Sequence, residues 1–288
     1  AVRIHIVPHI GDKKINLLTT ADVQKMYIKL SKEGRVNKTT RKGAGLSDNY
    51  IRRIHMMLHQ AMEMAVSEKL IIKNPTNGTT IPKRRRDAMK VLNDEQLDRF
   101  LEVIRGEEHW RDFFYTVLTT GLRKGEACGL MWSDFDEKKS TLRVTRTVTK
   151  KRGGGLIWGD TKTEAGRRTI VLPPSTAEGL KARKAKAKTQ WIFHNIYKPE
   201  EPMHPDLAYH TLHRLLKKAG LPQIRFHDLR HTFATHAQAG GVDVKTLSNI
   251  LGHTNASFTI DTYTHVTTDM QKHACEIVGS FIDEFMVV

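Results

Sequence analysis

The chain has 288 residues, 39% of them hydrophobic, which is enough for one large domain or two modest ones with a proper core. It has no apolar run near the roughly 20 residues that span a bilayer and no secretory signal, and its two cysteines, Cys128 and Cys275, exclude a disulfide scaffold or a cysteine-rich zinc module. The 47 Lys and Arg against 31 Asp and Glu give a net charge of +16, which favours a nucleic acid partner over a membrane.

Residues 1–80 are predicted to form a small helical domain. The chain begins at "AVRIHIVPHIG" without an initiator Met, so we expect a fragment of a longer protein. "TTADVQKMYIKLSKEG" predicts a helix capped by Thr20, and a longer helix follows Ser47. The methionines of the longer helix are interpreted as adaptable filling of the core or of a groove: Met56, Met57, Met62 and Met64.

Residues 81–90 are predicted to be a basic linker, since proline and turn residues in "NPTNGTTIPKRRRDAMK" break both helical and strand periodicity. A solvated charge run is the alternative to a linker that follows a phosphate backbone. The candidate DNA-binding residues are Arg52 and Arg53 of the longer helix and Lys83, Arg84, Arg85 and Arg86 of the linker.

Residues 91–288 are predicted to form a second domain of mixed helices and strands. Asn93 caps one predicted helix, and "HWRDFFYTVLTTG" predicts a buried helix that ends at Gly121. "TLRVTRTVTK", "LIWGDTKT" and "RRTIVLP" alternate apolar and polar residues and predict one antiparallel sheet of about three strands. The predicted fold class is therefore mainly α with a small antiparallel β-sheet.

"FHDLRHTFATH" crowds three histidines and an arginine into the start of a helix. His227 and His231 have the i, i+4 spacing of a metal site, but the glutamate of HExxH is missing and no cysteine is near, so we expect neither a metal nor another cofactor. His227 and Arg230 can instead face one side of a helix N-terminus, whose free N–H groups and positive charge suit a phosphate. An ordinary amphipathic helix is the third interpretation.

Two further segments supply cations. "TTGLRKGEACGL" places Arg123 where a helix should begin, with Glu126 one turn on to brace it. "TKTEAGRRTI" places Lys162 in a strand–turn–strand, and Lys150 and Lys151 are the competing lysines.

The last segments supply a histidine and a phenol. "LGHT" contains His253, and "DTYTH" contains Tyr263 ten residues later. His231, His236 and His265 are interpreted as helix-packing groups or as supports of the site. A purely structural role is the alternative for every candidate.

The ordered set of Arg, Lys, His-x-x-Arg, His and Tyr resembles the tyrosine recombinase (phage integrase) family, most closely the integrases of prophages and of integrative conjugative elements of Gram-positive bacteria. The resemblance covers nearly the whole chain and implies a C-shaped clamp, with 1–80 as a core-binding domain and 91–288 as the catalytic domain. It also implies that DNA is cut through a 3′-phosphotyrosyl bond to Tyr263. The implied roles are transition-state stabilisers Arg123 and Arg230, acid Lys162, base His227 and phosphate donor His253.

The resemblance further implies partners and a setting. These are double-stranded DNA attachment sites, a homotetramer joined through the C-terminal tail, and an accessory directionality or host DNA-bending protein. We expect integration or excision of a mobile element at the nucleoid, in the reducing cytoplasm that sparse cysteines suit. The N-terminal block is short for this family, whose core-binding domains usually start with another helix and often follow a small arm-binding domain, so we expect an N-terminally truncated core-binding domain. A type IB topoisomerase and a DNA-binding regulator with a vestigial site are the alternatives.

Overall fold

The computed structural model describes residues 1–36, 43–83, 89–151, 153–161 and 166–252. The chain divides into two compact units, Ala1–Ala88 and Met89–Val288. Helices dominate, and the antiparallel sheets are small, which confirms the predicted fold class. Within the described ranges, no helix is both long and apolar enough to cross a membrane.

The first unit is built on two helices. Its helical segments are a π-helical turn (Val2–Ile6), α1 (Val7–Ile10), a 3-10 turn (Ile15–Leu17), α2 (Thr20–Glu33) and α3 (Asp48–Ser67). Thr19, not the predicted Thr20, caps α2, because the Thr19 hydroxyl accepts the Asp22 N–H at 3.3 Å and the Asp22 carboxylate accepts the Thr19 N–H at 3.1 Å.

The core of the first unit lies between α2 and α3. The apolar stripe of α2 is buried at Val23, Met26, Tyr27 and Leu30, and that of α3 at Ile51, Ile54, Leu58 and Ala65. Met62 packs against this core, but Met56 and Met64 are 67% and 66% exposed and Met57 is 37% exposed. The core-filling interpretation is therefore wrong for these three, since at 3.6 residues per turn they lie away from the buried stripe.

Seven α-helices of the second unit fall within the described residues, besides a 3-10 turn (Trp132–Asp134). They are α4 (Asp94–Arg105), α5 (Arg111–Thr120), α6 (Lys124–Cys128), α7 (Pro174–Lys184), α8 (Pro205–Lys218), α9 (Phe226–Ala239) and α10 (Val244–Leu251). Asn93 caps α4 and Gly121 ends α5, as predicted.

An aromatic cluster fixes the beginning of α9 against α5. The Phe226 ring lies 6.1 Å from that of Phe113 and 6.2 Å from that of Phe114, between ring centroids. All three side chains are buried. Aromatic pairs of this kind contribute about 0.5–1.5 kcal/mol beyond their area burial, so the N-terminus of α9 is held firmly.

The strands form two sheets rather than the single sheet predicted. The strands are β1 (Phe135–Asp136), β2 (Thr141–Val144), β3 (Arg146–Lys150), β4 (Leu156–Asp160) and β5 (Arg168–Val171). One antiparallel sheet has the order β1-β2-β5, and β3 pairs with β4 in the other. The predicted strand "TLRVTRTVTK" breaks at Thr145, because buried Asp134 accepts the Thr145 hydroxyl at 3.2 Å and the guanidinium of Arg146.

Candidate active site

The turn between α5 and α6 positions Arg123. Gly121 ends α5 with a φ of +63°, a left-handed conformation that favours glycine. A Cβ there would lie 2.4 Å from Cδ1 of Phe233 and 2.9 Å from Cδ2 of Leu251, so only glycine lets α9 and α10 approach this closely. Arg123 then adopts an extended conformation at the N-cap of α6, where the sequence predicted a helix to begin.

Glu126 holds the side chain of Arg123. The Arg123 Nη1 donates to Oε1 of Glu126 at 2.7 Å, and the Arg123 backbone N–H donates to Oε2 at 2.9 Å. The Arg123 side chain is 38% exposed, whereas that of Glu126 is 4% exposed. The brace predicted from the sequence is therefore present, and the guanidinium keeps access to solvent.

Arg168 of β5 is a second partner of Glu126, and the sequence analysis missed it. Its Nη2 donates to Oε2 of Glu126 at 2.9 Å, and its Nη1 donates to Oε1 at 3.3 Å. Burial raises the pKa of Glu126, but the hydrogen bond and charge of Arg168, followed by those of Arg123, outweigh it and hold the pKa below its usual range. The available signal was strand alternation, which places Arg168 on the same face as buried Ile170.

The first turn of α9 carries the His-x-x-Arg pair. Asp228 is fully buried and accepts the Arg225 backbone N–H at 2.8 Å and the Arg225 Nη2 at 2.8 Å. This carboxylate stabilises the positive end of the helix. Leu229 is buried on the apolar face, so His227 and Arg230 share the side that remains.

Arg230 is buried, whereas the sequence interpretation placed it with His227 on the side of the helix that would face a phosphate. The residue is 1% exposed. Its Nη1 donates to the carbonyl of Gly121 at 2.9 Å, and its Nη2 donates to that of Leu251 at 2.5 Å. A buried guanidinium needs acceptors, and the carbonyls at the two helix ends supply them.

The C-terminal end of α10 gathers three guanidinium groups. The consecutive carbonyls of residues 250, 251 and 252 accept from Arg168, Arg230 and Arg123, in that order, at 2.5, 2.5 and 3.1 Å. Carbonyls of the last helical turn lack partners within the helix, and this end of the helix dipole is negative. Two arginines that are 107 positions apart in sequence, Arg123 and Arg230, therefore meet at one helix end, directly before residue 253.

His227 stands among these cations as a neutral imidazole. The residue has an exposed surface, but part of it is buried, and its pKa is lowered to about 4. The partial burial is the largest cause, and the neighbouring His231, Arg230 and Arg123 lower the pKa further. The two histidine rings meet edge to face with centroids 4.6 Å apart. Burial is also the main cause of the lowered pKa of His231. A neutral imidazole at pH 7 can accept a proton.

The other histidine of the motif packs helices. The Nε2 of His236 lies 2.9 Å from the carbonyl oxygen of Leu92, so it ties α9 to the residues before α4, as interpreted. Among the residues that the structure describes, no group of three or more His, Cys, Asp or Glu side chains could hold a metal ion.

Four candidates lie outside the described residues: Lys162, His253, Tyr263 and His265. The chain approaches Lys162 from the end of β4 and leaves it toward β5. Of the competing lysines, Lys150 pairs with Asp206 at 2.7 Å between Nζ and Oδ2.

The DNA-binding candidates of the first unit fall into two groups. Arg52 donates from Nη1 to the carbonyl of Pro82 at 2.9 Å and so fastens α3 to the residue before Lys83. Arg53 and Lys83 are exposed. The remaining candidates, Arg84, Arg85 and Arg86, are outside the described residues.

Arginines that are fixed in advance can stabilise the negative charge of a transferring phosphoryl group, and a neutral histidine beside them can accept a proton. The model of the phage integrase family matches residues 90–270. A tyrosine recombinase XerC-like protein of Caldanaerobacter subterraneus subsp. tengcongensis is 30% identical over 293 residues, covering 92% of this chain and 72% of that protein. The ICEBs1 integrase of Bacillus subtilis is 26% identical, covering 81% of this chain and 66% of that integrase.

Solved structures share the fold. The Tn1549 transposon integrase in complex with a circular intermediate DNA has a TM-score of 0.79 and 24% identity, covering 96% of this chain and 90% of that one. A lambda integrase tetramer bound to a Holliday junction has a TM-score of 0.64 and 21% identity, covering 91% and 70%.

The chain belongs to the phage integrase family and is a tyrosine-type site-specific recombinase. Its relatives include integrases of phages and of an integrative element, which confirms the resemblance to the integrases of mobile elements. These relatives do not favour the two alternative functions, a type IB topoisomerase and a DNA-binding regulator with a vestigial site.

Proposed function

We propose that this recombinase integrates or excises a mobile element by cutting and rejoining DNA at attachment sites, with Tyr263 as nucleophile. The observation that carries this proposal is the meeting of Arg123 and Arg230 at the end of α10, with neutral His227 close enough for both guanidiniums to lower its pKa. In the sequence, His253 follows this helix after one intervening residue, and Tyr263 comes ten residues later.

The proposed reaction exchanges one phosphoester for another. The Tyr263 oxygen bonds to phosphorus, its proton passes to His227, and the bond from phosphorus to the 5′-oxygen breaks. Lys162 gives that leaving oxygen its proton. Attack by a different 5′-hydroxyl reverses these steps and joins a new strand, so the phosphoester energy is conserved in the 3′-phosphotyrosyl bond.

Arg123 and Arg230 stabilise the negative charge that develops on the non-bridging oxygens, with His253 as a further donor. Donors fixed in advance are effective because they need no reorganisation during the reaction. The carbonyls that hold both guanidiniums supply that rigidity. Arg123 is the more exposed of the two, so it makes the first contact with the phosphate.

The substrate is double-stranded DNA. The net charge of +16 and the exposed Arg53 and Lys83 support this, because each phosphate that a cation neutralises releases counterions. The integrase with a TM-score of 0.79 was solved in complex with DNA. Binding is expected to weaken steeply as the salt concentration rises.

A first experiment tests the nucleophile. The Tyr263→Phe variant lacks only the phenol oxygen, so it should bind a nicked suicide duplex that carries the attachment site with wild-type affinity and form no covalent adduct. Arg123→Lys, which keeps the charge but loses the fork, is the control that should still form an adduct, slowly. An adduct that persists in Tyr263→Phe means that another residue attacks the phosphate.

A second experiment tests assembly. We propose a tetramer on DNA in which residues 270–288, an apolar segment outside the described residues, dock on a neighbouring protomer. The lambda integrase tetramer on a Holliday junction supports the oligomeric state. Deletion of 270–288 should keep single-site binding and weaken synapsis in gel-shift assays. Normal synapses and a normal recombination rate would rule out this docking.

The family resemblance also implies an accessory directionality or host DNA-bending protein, and action on nucleoid DNA in the cytoplasm. Recombination of supercoiled substrate by the purified chain alone, compared with the same reaction in host extract, tests the need for such a factor.

A further inference from the structure

Arg168 is buried where the second unit's sheet meets the candidate active site. Its side chain is 7% exposed, although that of neighbouring Arg167 is 57% exposed and pairs with Asp160 on the surface. An arginine is seldom buried unless its N–H groups are satisfied. The burial therefore points to a specific set of acceptors.

The acceptors of Arg168 all belong to the protein. Its Nε donates to the carbonyl of Ile250, its Nη1 donates to Oε1 of Glu126 and to the carbonyl of Gly166, and its Nη2 donates to Oε2 of Glu126. Four of the five N–H groups of a guanidinium are thus engaged. Such a group cannot take a bidentate phosphate as well, which separates Arg168 from the arginines proposed to bind DNA.

We propose that Arg168 is a positioning residue for strand cleavage: it fixes the Glu126 carboxylate that holds Arg123, and it fixes the end of α10. This proposal rests on the proposed function, in which Arg123 binds the scissile phosphate. In this role Arg168 acts through Glu126 and the end of α10, not by binding the scissile phosphate itself.

The carboxylate of Glu126 connects the two arginines. Each of its oxygens accepts two N–H groups, one from Arg123 and one from Arg168. Four donors leave the carboxylate a single orientation, and this orientation directs the Arg123 fork. Catalytic groups must be held within about 0.5 Å of the productive geometry. A Glu126 carboxylate with only the two donors of Arg123 would not be held that closely.

The bond to Ile250 gives Arg168 a second point of control. The next two carbonyls along the chain hold Arg230 and Arg123. A shift of the end of α10 therefore moves both guanidiniums at once. Of these three arginines, Arg168 lies on a β-strand, so its bond to Ile250 links the end of α10 to a sheet.

The first test measures single-turnover adduct formation on a nicked suicide duplex with the sequence at one end of the element that encodes this chain. Arg168→Gln should slow the adduct about tenfold to a hundredfold, the usual loss when a supporting partner is removed. Arg168→Lys should recover part of the rate. Arg167→Gln, which removes the same charge from the adjacent outward position, should react at the wild-type rate, and all three should bind the duplex alike.

The second test asks whether Arg168 acts through Arg123. In the Arg123→Lys background the fork that Glu126 directs is already absent, and only the effect on Arg230 through the end of α10 remains. Adding Arg168→Gln should therefore slow the adduct by a clearly smaller factor than it does in the wild-type background. An equal factor in both backgrounds indicates an independent structural role and overturns the proposal, as does a wild-type rate for Arg168→Gln alone. If Arg168→Gln does not fold, Arg168→Lys carries the same comparison.

These results are distinct from those that bear on the proposed function. If the wild-type adduct forms and vanishes in Tyr263→Phe, the proposed function stands whatever Arg168 does. If the wild-type chain forms no adduct, or if Tyr263→Phe keeps it, both proposals fall.

Discussion

Replacement of Glu126 by glutamine should strongly destabilise the second unit. Glu126 is 3% exposed and separates the guanidiniums of Arg123 and Arg168. Removal of one partner from a buried ion pair costs about 3–5 kcal/mol. Glutamine keeps one acceptor oxygen, which recovers about 1 kcal/mol. The Arg123 side of the pair is screened by water, so most of the loss arises at Arg168. We expect a net loss of about 2–4 kcal/mol in the free energy of unfolding.

Urea and thermal unfolding of the full chain at pH 7 measure this loss. A unit of this size should melt roughly 4–16 °C lower, at about 2–4 °C for each kcal/mol. Asp160→Asn, which breaks the exposed Asp160–Arg167 pair, is the control and should cost at most about 1 kcal/mol.

The dependence on pH gives a further check. The folded-state pKa of Glu126 lies below the unfolded value near 4.5. The carboxylate therefore makes its full contribution to the free energy of unfolding above about pH 4.5, and that contribution is lost as the pH falls further. The gap between wild type and Glu126→Gln should therefore narrow in acid. A variant within about 0.5 kcal/mol of wild type at pH 7 would falsify the central role given to this carboxylate.

Two other perturbations have definite outcomes. Since the pKa of His227 is lowered to about 4, cleavage that uses it as a base should stay level from pH 8 to about pH 5.5 and reach half its rate near pH 4; a midpoint near 6.5 would contradict the assignment. Gly121→Ala places a Cβ 2.4 Å from Phe233 at a φ of +63°, so it should cost about 2–4 kcal/mol by strain and displaced packing, measured by urea unfolding. Gly106→Ala is the control: its Cβ would lie 3.9 Å from the Val103 carbonyl oxygen, an ordinary contact, and it should change stability by less than about 1 kcal/mol.

Local rules determined much of the fold from the sequence alone. The stripe of α2, the cap at Asn93, the end of α5 at Gly121 and the helix start after Arg123 depend on residues within one or two turns of each other. Local preference placed the cap of α2 one residue too late, because Thr19 and Thr20 have the same side chain and only the bond to Asp22 distinguishes them.

The family could also be predicted from the sequence. The order of Arg123, the His227–Arg230 pair and Tyr263 resembles that of the tyrosine recombinases, and the family model that matches residues 90–270 confirms the membership.

Only the tertiary structure decided which charged groups are buried together. Strand alternation places Arg168 of β5 and the preceding Arg167 on opposite faces, but only the structure shows that Glu126 holds Arg168 inside while Arg167 pairs at the surface. The split into two sheets likewise depends on buried Asp134, which binds Thr145 and Arg146 where β2 ends and β3 begins. The burial of Arg230 requires carbonyls from two helix ends, and contacts across more than a hundred residues are set by packing rather than by local spacing.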